Sequence, residues 1–341
     1  MRYSEAKKRA VTVLSEAGIE EAEVDSEYLM LFVSGLDKAG LLMRLFDEMP
    51  EEQEKAYEAL IERRSTHEPL QYIIGSQNFM GYTFLVTPDV LIPRFDTEIL
   101  AELAGKRAFE MAGSMYCSRQ AENTDSASML EGFRILDICT GSGCVPVSVG
   151  LDLYKKIKAK GIKTKVSVTA ADISEAAVGL AEKNYKLNLD DLKKGSGTLH
   201  PLENSSEVSD GCDIYGLGYR FIISDLFDNI DGKYHIITAN PPYIVRNEID
   251  ELMPEISEHE PRLALDGGDD GMDFYRRIVR EAPLYLYRGG RLLMEFDDSQ
   301  AEPVKKMMEE AGFSDVEVHR DLAGLRRCIE GRYEMRYPAS P

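Results

Sequence analysis

Two successive prolines, Pro241 and Pro242, close off the apolar run Tyr234–Ile237 and the Thr238-Ala239-Asn240 that follows it. The run has the length and composition of a buried parallel strand. Proline carries no N–H for a ladder and has its φ fixed, so the strand must stop at Asn240. The backbone beyond it is stiff. Rigid backbone just past the carboxyl end of a strand is where open α/β sheets bind ligands. The Asn240 amide, the carbonyls beside it and the Tyr243 ring are thereby fixed together. Such a set suits gripping a small planar polar group.

The neighbouring pattern supplies a sheet for that strand. From Arg134 onward, apolar runs alternate with helical stretches. Strands are expected at Arg134–Ile138, Val166–Ala171, Phe221–Asp225, Tyr234–Ala239 and Arg291–Phe296, the last entered through Gly289-Gly290. Helices are expected at Cys144–Lys156, Glu175–Leu187, Phe274–Leu286 and Gln300–Ala311. Val316–His319 and Arg327–Glu330 read as a closing antiparallel pair. The alternation implies an α/β fold with a mainly parallel, doubly wound sheet. Upstream, Ser4–Glu16, Glu21–Val33, Asp37–Leu45 and Pro50–Arg64 read as a small helical bundle. Tyr28, Leu29, Leu31, Phe32 and Val33 are read as the apolar face of its second helix. A hairpin around Gly81 follows, then Val90–Glu98, where Asp96 or Thr97 caps a helix running to Met111. As pure pattern, Arg94, Asp96 and Glu98 are a cap-and-salt-bridge cluster. The expected domains are 1–74 (helical), 75–95 (hairpin linker) and 96–341 (α/β). The polar segments 112–132 and 190–218 read as a loop and an insertion.

Cys139-Thr140-Gly141-Ser142-Gly143 is a glycine turn after the first strand of the alternating region, opening a helix N-terminus. Such turns let backbone approach a ligand closely. Asp172 ends the second strand, where a carboxylate can accept hydrogen bonds from ribose hydroxyls. With Asp137, these residues fit an adenosine-containing cofactor. Pro146 occupies the third small position of a dinucleotide fingerprint, which ranks NAD below another adenosyl ligand. Asp225 is either the partner of an adenine edge or an ordinary strand-end acid.

Bulk properties narrow the partners. The formal net charge is −20 across 341 residues, which argues against stable, sequence-independent nucleic-acid binding. There is no apolar run of membrane-spanning length and no secretory h-region. The five cysteines are scattered without a CxxC pair, so neither a disulfide framework nor a zinc site is expected. These features point to the cytoplasm and to a chain that binds no metal and no membrane; a monomer is expected. His235, inside a strand, reads as a packed histidine, and neither it nor His259 is assigned to catalysis.

Asn-Pro-Pro-Tyr after the fourth strand resembles the motif of S-adenosylmethionine-dependent methyltransferases that modify planar nitrogens. An amide NH₂ is a poor nucleophile because its lone pair is delocalised. Accepting its two N–H groups at the Asn240 oxygen and the Pro241 carbonyl favours a tetrahedral nitrogen and frees the lone pair. Around this motif lie Glu68-Pro69-Leu70-Gln71-Tyr72, Leu91-Ile92-Pro93-Arg94-Phe95-Asp96-Thr97-Glu98, Glu260-Pro261, Leu265-Asp266-Gly267-Gly268-Asp269-Asp270-Gly271 and Asp321-Leu322-Ala323-Gly324, in that order. The whole series resembles the peptide chain release factor glutamine N5-methyltransferases. The resemblance implies a class I, Rossmann-like methyltransferase domain with a seven-stranded sheet and an N-terminal helical bundle that docks the release factor. It implies N5-methylation of the glutamine in the Gly-Gly-Gln loop, with S-adenosylmethionine as donor and S-adenosylhomocysteine as product.

Carried onto this chain, the catalytic residues are Asn240, Pro241 and Tyr243, with Pro242, Phe95 and Arg94 beside the substrate. Asp137, Cys139, Thr140, Gly141, Ser142, Gly143, Asp172, Asp225 and Asn240 fall to the cofactor. Asp297-Asp298 stands where the family usually has a glycine, a departure expected to be peripheral. The alternatives are an N6-adenine DNA methyltransferase or an rRNA guanine methyltransferase using the same Asn-Pro-Pro-Tyr, with the target base flipped into the site.

Overall fold

A computed structural model describes residues 1–121, 132–195 and 216–334. The chain divides into two compact units.

The first unit comprises Met1–Ser76, Val86–Pro88 and Asp250–Glu260. Its helices are α1 (Tyr3–Glu16), α2 (Ala22–Ser34), α3 (Lys38–Arg44), α4 (Glu51–Ser65) and the short α5 (Leu70–Ile74). The Asp37 carboxylate caps α3 by accepting from the Gly40 N–H at 2.7 Å, as an N-cap acid does. Leu14, Leu29, Met30 and Tyr57 are fully buried at the centre. On α2 the buried residues are Ala22, Asp25, Ser26, Leu29 and Met30. Tyr28 and Phe32, expected on the apolar face, are about half exposed instead. The face is chosen by polar partners. The Tyr57 hydroxyl donates to the Ser26 carbonyl at 2.9 Å, and Arg64 Nε donates to Asp25 at 2.7 Å. Arg64 also reaches Glu255 at 3.0 Å. Segment 250–260, far away in sequence, thus joins this unit through an ion pair.

The second unit carries the hairpin β1 (Ser76–Phe79) and β2 (Tyr82–Leu85), then α6 (Thr97–Ala121), β3 (Phe133–Ile138), α7 (Cys144–Ala159), β4 (Val166–Asp172), α8 (Glu175–Gly195), β5 (Leu217–Ile223) and β6 (Tyr234–Ala239). After the α9 turn (Pro254–Ser257), which belongs to the first unit, come α10 (Asp273–Tyr285), β7 (Leu286–Glu295), α11 (Ala301–Glu310), β8 (Phe313–Arg320) and β9 (Arg326–Tyr333).

Seven strands form one sheet in the order β5-β4-β3-β6-β7-β9-β8. β9 alone runs against the direction of the other six strands. This is the class I methyltransferase topology expected from the sequence. Successive strand residues feed opposite cores, as the pleat requires. Ile135 packs with α6, α7 and α8, and Leu136 with α10 and α11. Both faces are therefore covered, which is why the central strands read as unbroken apolar runs.

Three expectations are corrected. Segment 112–132 is not a loop from its start, because α6 continues to Ala121. Segment 190–218 is not wholly an insertion: α8 runs to Gly195 and β5 starts at Leu217. The remainders of both segments lie outside the described residues. β7 begins at Leu286 rather than after the two glycines, which occupy a register jump between Tyr234↔Leu286 and Ile236↔Arg291. His235 is packed as read: its ring stacks on Phe133 at 4.7 Å and accepts from the Arg134 N–H. Among the described residues no helix is long and apolar enough to cross a membrane.

Candidate active site

The order of strand addition reverses between the parallel neighbours β3 and β6, since the chain moves from β3 outward to β4 and β5 and then returns to β6. Ligands bind at such switch points, beyond the carboxyl ends of the strands. Here register places the chemistry. Ile138 pairs with both Ala171 and Ala239, and Ala239 also pairs with Met294. The next residues along, Cys139, Asp172, Asn240 and Glu295, therefore stand side by side at one edge.

The turn after β3 is held tightly. Cys139 takes a left-handed φ of 58°, a conformation that non-glycine residues adopt at a cost. Asp137 accepts from the Thr140 hydroxyl at 2.7 Å and from the Thr238 hydroxyl at 2.6 Å. Burial pushes its carboxyl up to about 7, and those two hydrogen bonds work against the rise. Asp172 accepts from the Gly141 N–H at 2.8 Å and from the Ser174 N–H at 3.0 Å. Burial raises its pKa as well. Gly143 is required for a different reason: a Cβ there would meet Ala181 Cβ at 2.8 Å, so it seats α7 against α8. Asn184, on α8, accepts from the Leu85 N–H and donates to the carbonyls of Leu85 and Ser142. It pins the hairpin to the glycine turn.

The Asn-Pro-Pro-Tyr turn is clamped from the other side. Ile244 bridges to Asp266 in parallel fashion. The Gln300 amide donates to the carbonyls of Tyr243 and Gly271 at 2.9 and 3.0 Å. A Cβ on Gly267 would stand 2.7 Å from Tyr243 Cα, and one on Gly271 2.5 Å from the Tyr243 oxygen. The glycines of the Leu265–Gly271 stretch thus let two backbones touch. Gly267→Ala is expected to cost about 1–3 kcal/mol, as overpacking does, because the obstacle is backbone. Urea denaturation checks this; an unchanged midpoint would mean that the turn yields freely.

One cleft joins these parts. Asp137, Cys139, Thr140, Gly141, Ser142, Asp172, Asp225, Asn240, Pro242 and Arg94 all line it. Gly143, Pro241, Tyr243 and Phe95 do not. Gly143 is turned onto Ala181, and Tyr243 packs against the core of α10, α11 and β7. Phe95 is 72% exposed, which removes it from the cleft as a wall. Asp225 is paired with Arg277 of α10 at 2.9 Å.

Sequence reasoning missed Arg277, Asn184, Thr97 and Glu295. The spacing of Asn184 and Asn188 four apart on the apolar face of α8 was the one available signal. Thr97 lies 3.2 Å from the Asn240 amide nitrogen, with its hydroxyl oxygen accepting. Of the cap cluster, Asp96 instead pairs with Arg327 of β9 at 3.3 Å, and Glu98 accepts from the Met80 N–H. Asp297 caps a short turn and Asp298 pairs with Arg326. Among the described residues Glu317, His319 and Glu330 approach one another, but Glu330 is already committed to Arg107 and Arg291.

An adenosyl sulfonium fits this donor set. Asp172 has lone pairs left after its two backbone contacts. Gly141 has open space where a Cβ would project, and Ile173 and Leu226 provide apolar walls.

Comparison with known proteins agrees in both units. The family model described as the PrmC N-terminal domain matches residues 5–75. A release factor glutamine methyltransferase from Geobacter sulfurreducens is 34% identical over 320 residues, 94% of this chain and 92% of the relative. One from Cereibacter sphaeroides is 33% identical over 332 residues, 97% and 99% of the two chains. Among solved structures, a methyltransferase from Pyrococcus furiosus aligns over 66% of this chain and 83% of its own, at 15% identity and a TM-score of 0.35.

Proposed function

Because the chain belongs to the release factor glutamine methyltransferase family, we propose that its cleft methylates the N5 nitrogen of the glutamine in a release factor's Gly-Gly-Gln loop. The observation that carries this is the position of Asn240. It projects from a clamped turn into the same cleft as the glycine turn and Asp172.

When bound, S-adenosylmethionine supplies an activated methyl group that the glutamine nitrogen accepts, leaving S-adenosylhomocysteine. The chain's own residues hold and orient. Asp172, the glycine turn and the walls at Ile173 and Leu226 take the adenosine. The Asn240 oxygen accepts one amide N–H group, and the Pro241 carbonyl, on the turn between the lining residues Asn240 and Pro242, accepts the other once the glutamine enters. Tyr243 supports the turn from behind, and burial pushes its phenol well above the usual value, so it acts as a neutral ring. No strong base is needed, because an N-methylated amide cation sheds a proton readily to these oxygens or to water. Phe95 and Arg94, at the outer rim, face the approaching loop. The helical first unit docks the body of the release factor, and the acidic surface disfavours nucleic acid as the acceptor.

The test offers labelled S-adenosylmethionine with unmodified release factor, plasmid DNA or ribosomal RNA, followed by mass spectrometry. The expected mark is a single methyl on the loop glutamine. Label on nucleic acid without label on the glutamine would refute the assignment and favour a base methyltransferase.

The cofactor half has its own expectation. Asp172→Ala removes the acceptor of two backbone N–H groups and of the ribose hydroxyls. Affinity for S-adenosylmethionine should fall about 10–100-fold, the scale of one or two charge-assisted hydrogen bonds. Calorimetric titration reads this directly; an unchanged Kd would place the ribose elsewhere.

A further inference from the structure

An asparagine amide is nearly symmetric in shape, so its oxygen faces an acceptor molecule only if its NH₂ is held on the other side. Asn240 has such a holder. Its amide nitrogen lies 3.2 Å from Thr97 Oγ1 at the first residue of α6. The parallel register of β6 and β7 sets it beside Glu295, one step beyond Ala239↔Met294. Thr97 and Glu295 are each only 3% exposed. Thr97 and Asn240 both lower the pKa of the Glu295 carboxyl against its burial. Among the described residues its Oε2 is buried without a hydrogen-bond partner. A buried charged group normally needs full pairing, so an incompletely satisfied one beside Asn240, which lines the cleft, calls for a functional explanation.

Resting on the reading of Asn240 as the amide-holding residue, we propose that Glu295 and Thr97 are positioning residues that lock the Asn240 amide with its NH₂ inward and its oxygen toward the substrate. An ionised carboxylate has no hydrogen to give. It accepts from the Asn240 NH₂ and rejects the flipped amide, whose oxygen would face it. The flipped form would present NH₂ to the substrate's own NH₂, donor against donor, and the acceptor contact would be lost.

The protonation of Glu295 is part of the device. Burial pushes its carboxyl up to about 7, Asp96 adds to the rise, and the hydrogen bonds from Thr97 and Asn240 and the charge of Arg327 oppose it. The other titratable groups that feel it are Tyr243, Tyr275, Cys144 and Cys328. Burial raises all four above the range in which Glu295 titrates. Below about pH 7 the protonated acid acquires a donor and tolerates the flipped amide. Turnover should therefore climb with pH through the neutral range.

Glu295→Gln keeps the shape but brings a permanent NH₂, and Thr97→Val keeps the shape but removes the hydroxyl. The full-length protein and both variants are assayed for kcat and KM on unmodified release factor, for S-adenosylmethionine Kd by calorimetry, and for melting temperature. Each variant is expected to lose about 10–100-fold in kcat, as small misplacements of a reacting group do. KM and Kd should change by no more than a few-fold, and Glu295→Gln should flatten the pH dependence. Thr97→Ser, which restores the hydroxyl, should recover most of the loss. Wild-type kcat in folded Glu295→Gln or Thr97→Val would overturn the inference. So would a loss confined to KM or Kd, or a Thr97→Ser as impaired as the valine variant. If Glu295→Gln does not fold, the Thr97 pair decides alone. Failure of the wild-type protein to methylate the glutamine would instead refute the proposed function, and it shows before any variant is made.

Discussion

Asn240→Ala is expected to lower turnover about 10²–10³-fold while leaving S-adenosylmethionine affinity within a few-fold of wild type. The magnitude is that of deleting one preorganised hydrogen-bonding group aimed at the reacting centre. The asymmetry between kcat and Kd follows from where the contacts lie. In the proposed mechanism the adenosine is held by Asp172 and the turn after β3, which is secured by Asp137, Thr140 and Asn184. None of those contacts passes through Asn240. The glutamine nitrogen, in contrast, would lose one of its two proposed acceptors and with it the bias toward a reactive tetrahedral geometry. Single-turnover assays with saturating release factor separate the two effects. Undiminished turnover would sink the mechanism, and a matching collapse of cofactor affinity would make Asn240 a binding residue.

The largest stability effect is expected at Glu330. Its side chain is fully buried on β9 and accepts from Arg107 at 2.6 and 2.9 Å and from Arg291 at 2.7 Å. These arginines, with His319, hold its carboxyl down to about 2 against the opposing effect of burial. Glu330→Gln leaves both guanidiniums without their anion. Removing one member of a buried ion pair costs about 3–5 kcal/mol. Arg107 and Arg291 keep some contact with water, so the lower end is expected. The sign in pH follows from the depressed value. The contribution is fully present above the unfolded-state pKa, about 4.5, and is lost as pH falls through the folded value near 2. Urea unfolding across that window should show wild-type stability falling toward that of Glu330→Gln. Parallel curves would place the stabilisation elsewhere.

The parts legible in the sequence were those encoded locally. Proline at Pro241 and Pro242 ends a strand whatever surrounds it. The apolar runs of β3, β4 and β6 read correctly because both faces of the sheet are covered, and the glycine turn read correctly because its backbone demands glycine. Parts set by partners far along the chain were not legible. Nearly every residue from Tyr28 to Val33 is apolar, so no unique face could be read from α2. Arg64 and Tyr57, some thirty residues away, made the choice. The extension of α6 was masked by Ser and Gly, yet Ala108, Ala112 and Met115 keep helical spacing onto the core. The Thr97, Asn240 and Glu295 cluster joins a helix start and two strand ends drawn from nearly 200 residues of chain. Only the register of the sheet reveals it.

The strand order at the far edge of the sheet bears on how this protein is made. β9 is synthesised after β8 yet lies between β8 and β7. On the ribosome, β8 therefore emerges before the strand it will pair with. Until Arg326–Tyr333 has followed, β7 presents an open edge of unpaired N–H and C=O groups, the kind of edge that invites pairing with another chain. Arg107 and Arg291 also wait for Glu330 during that interval. A nascent chain stalled between β8 and β9 is the species in which aggregation and chaperone capture should concentrate.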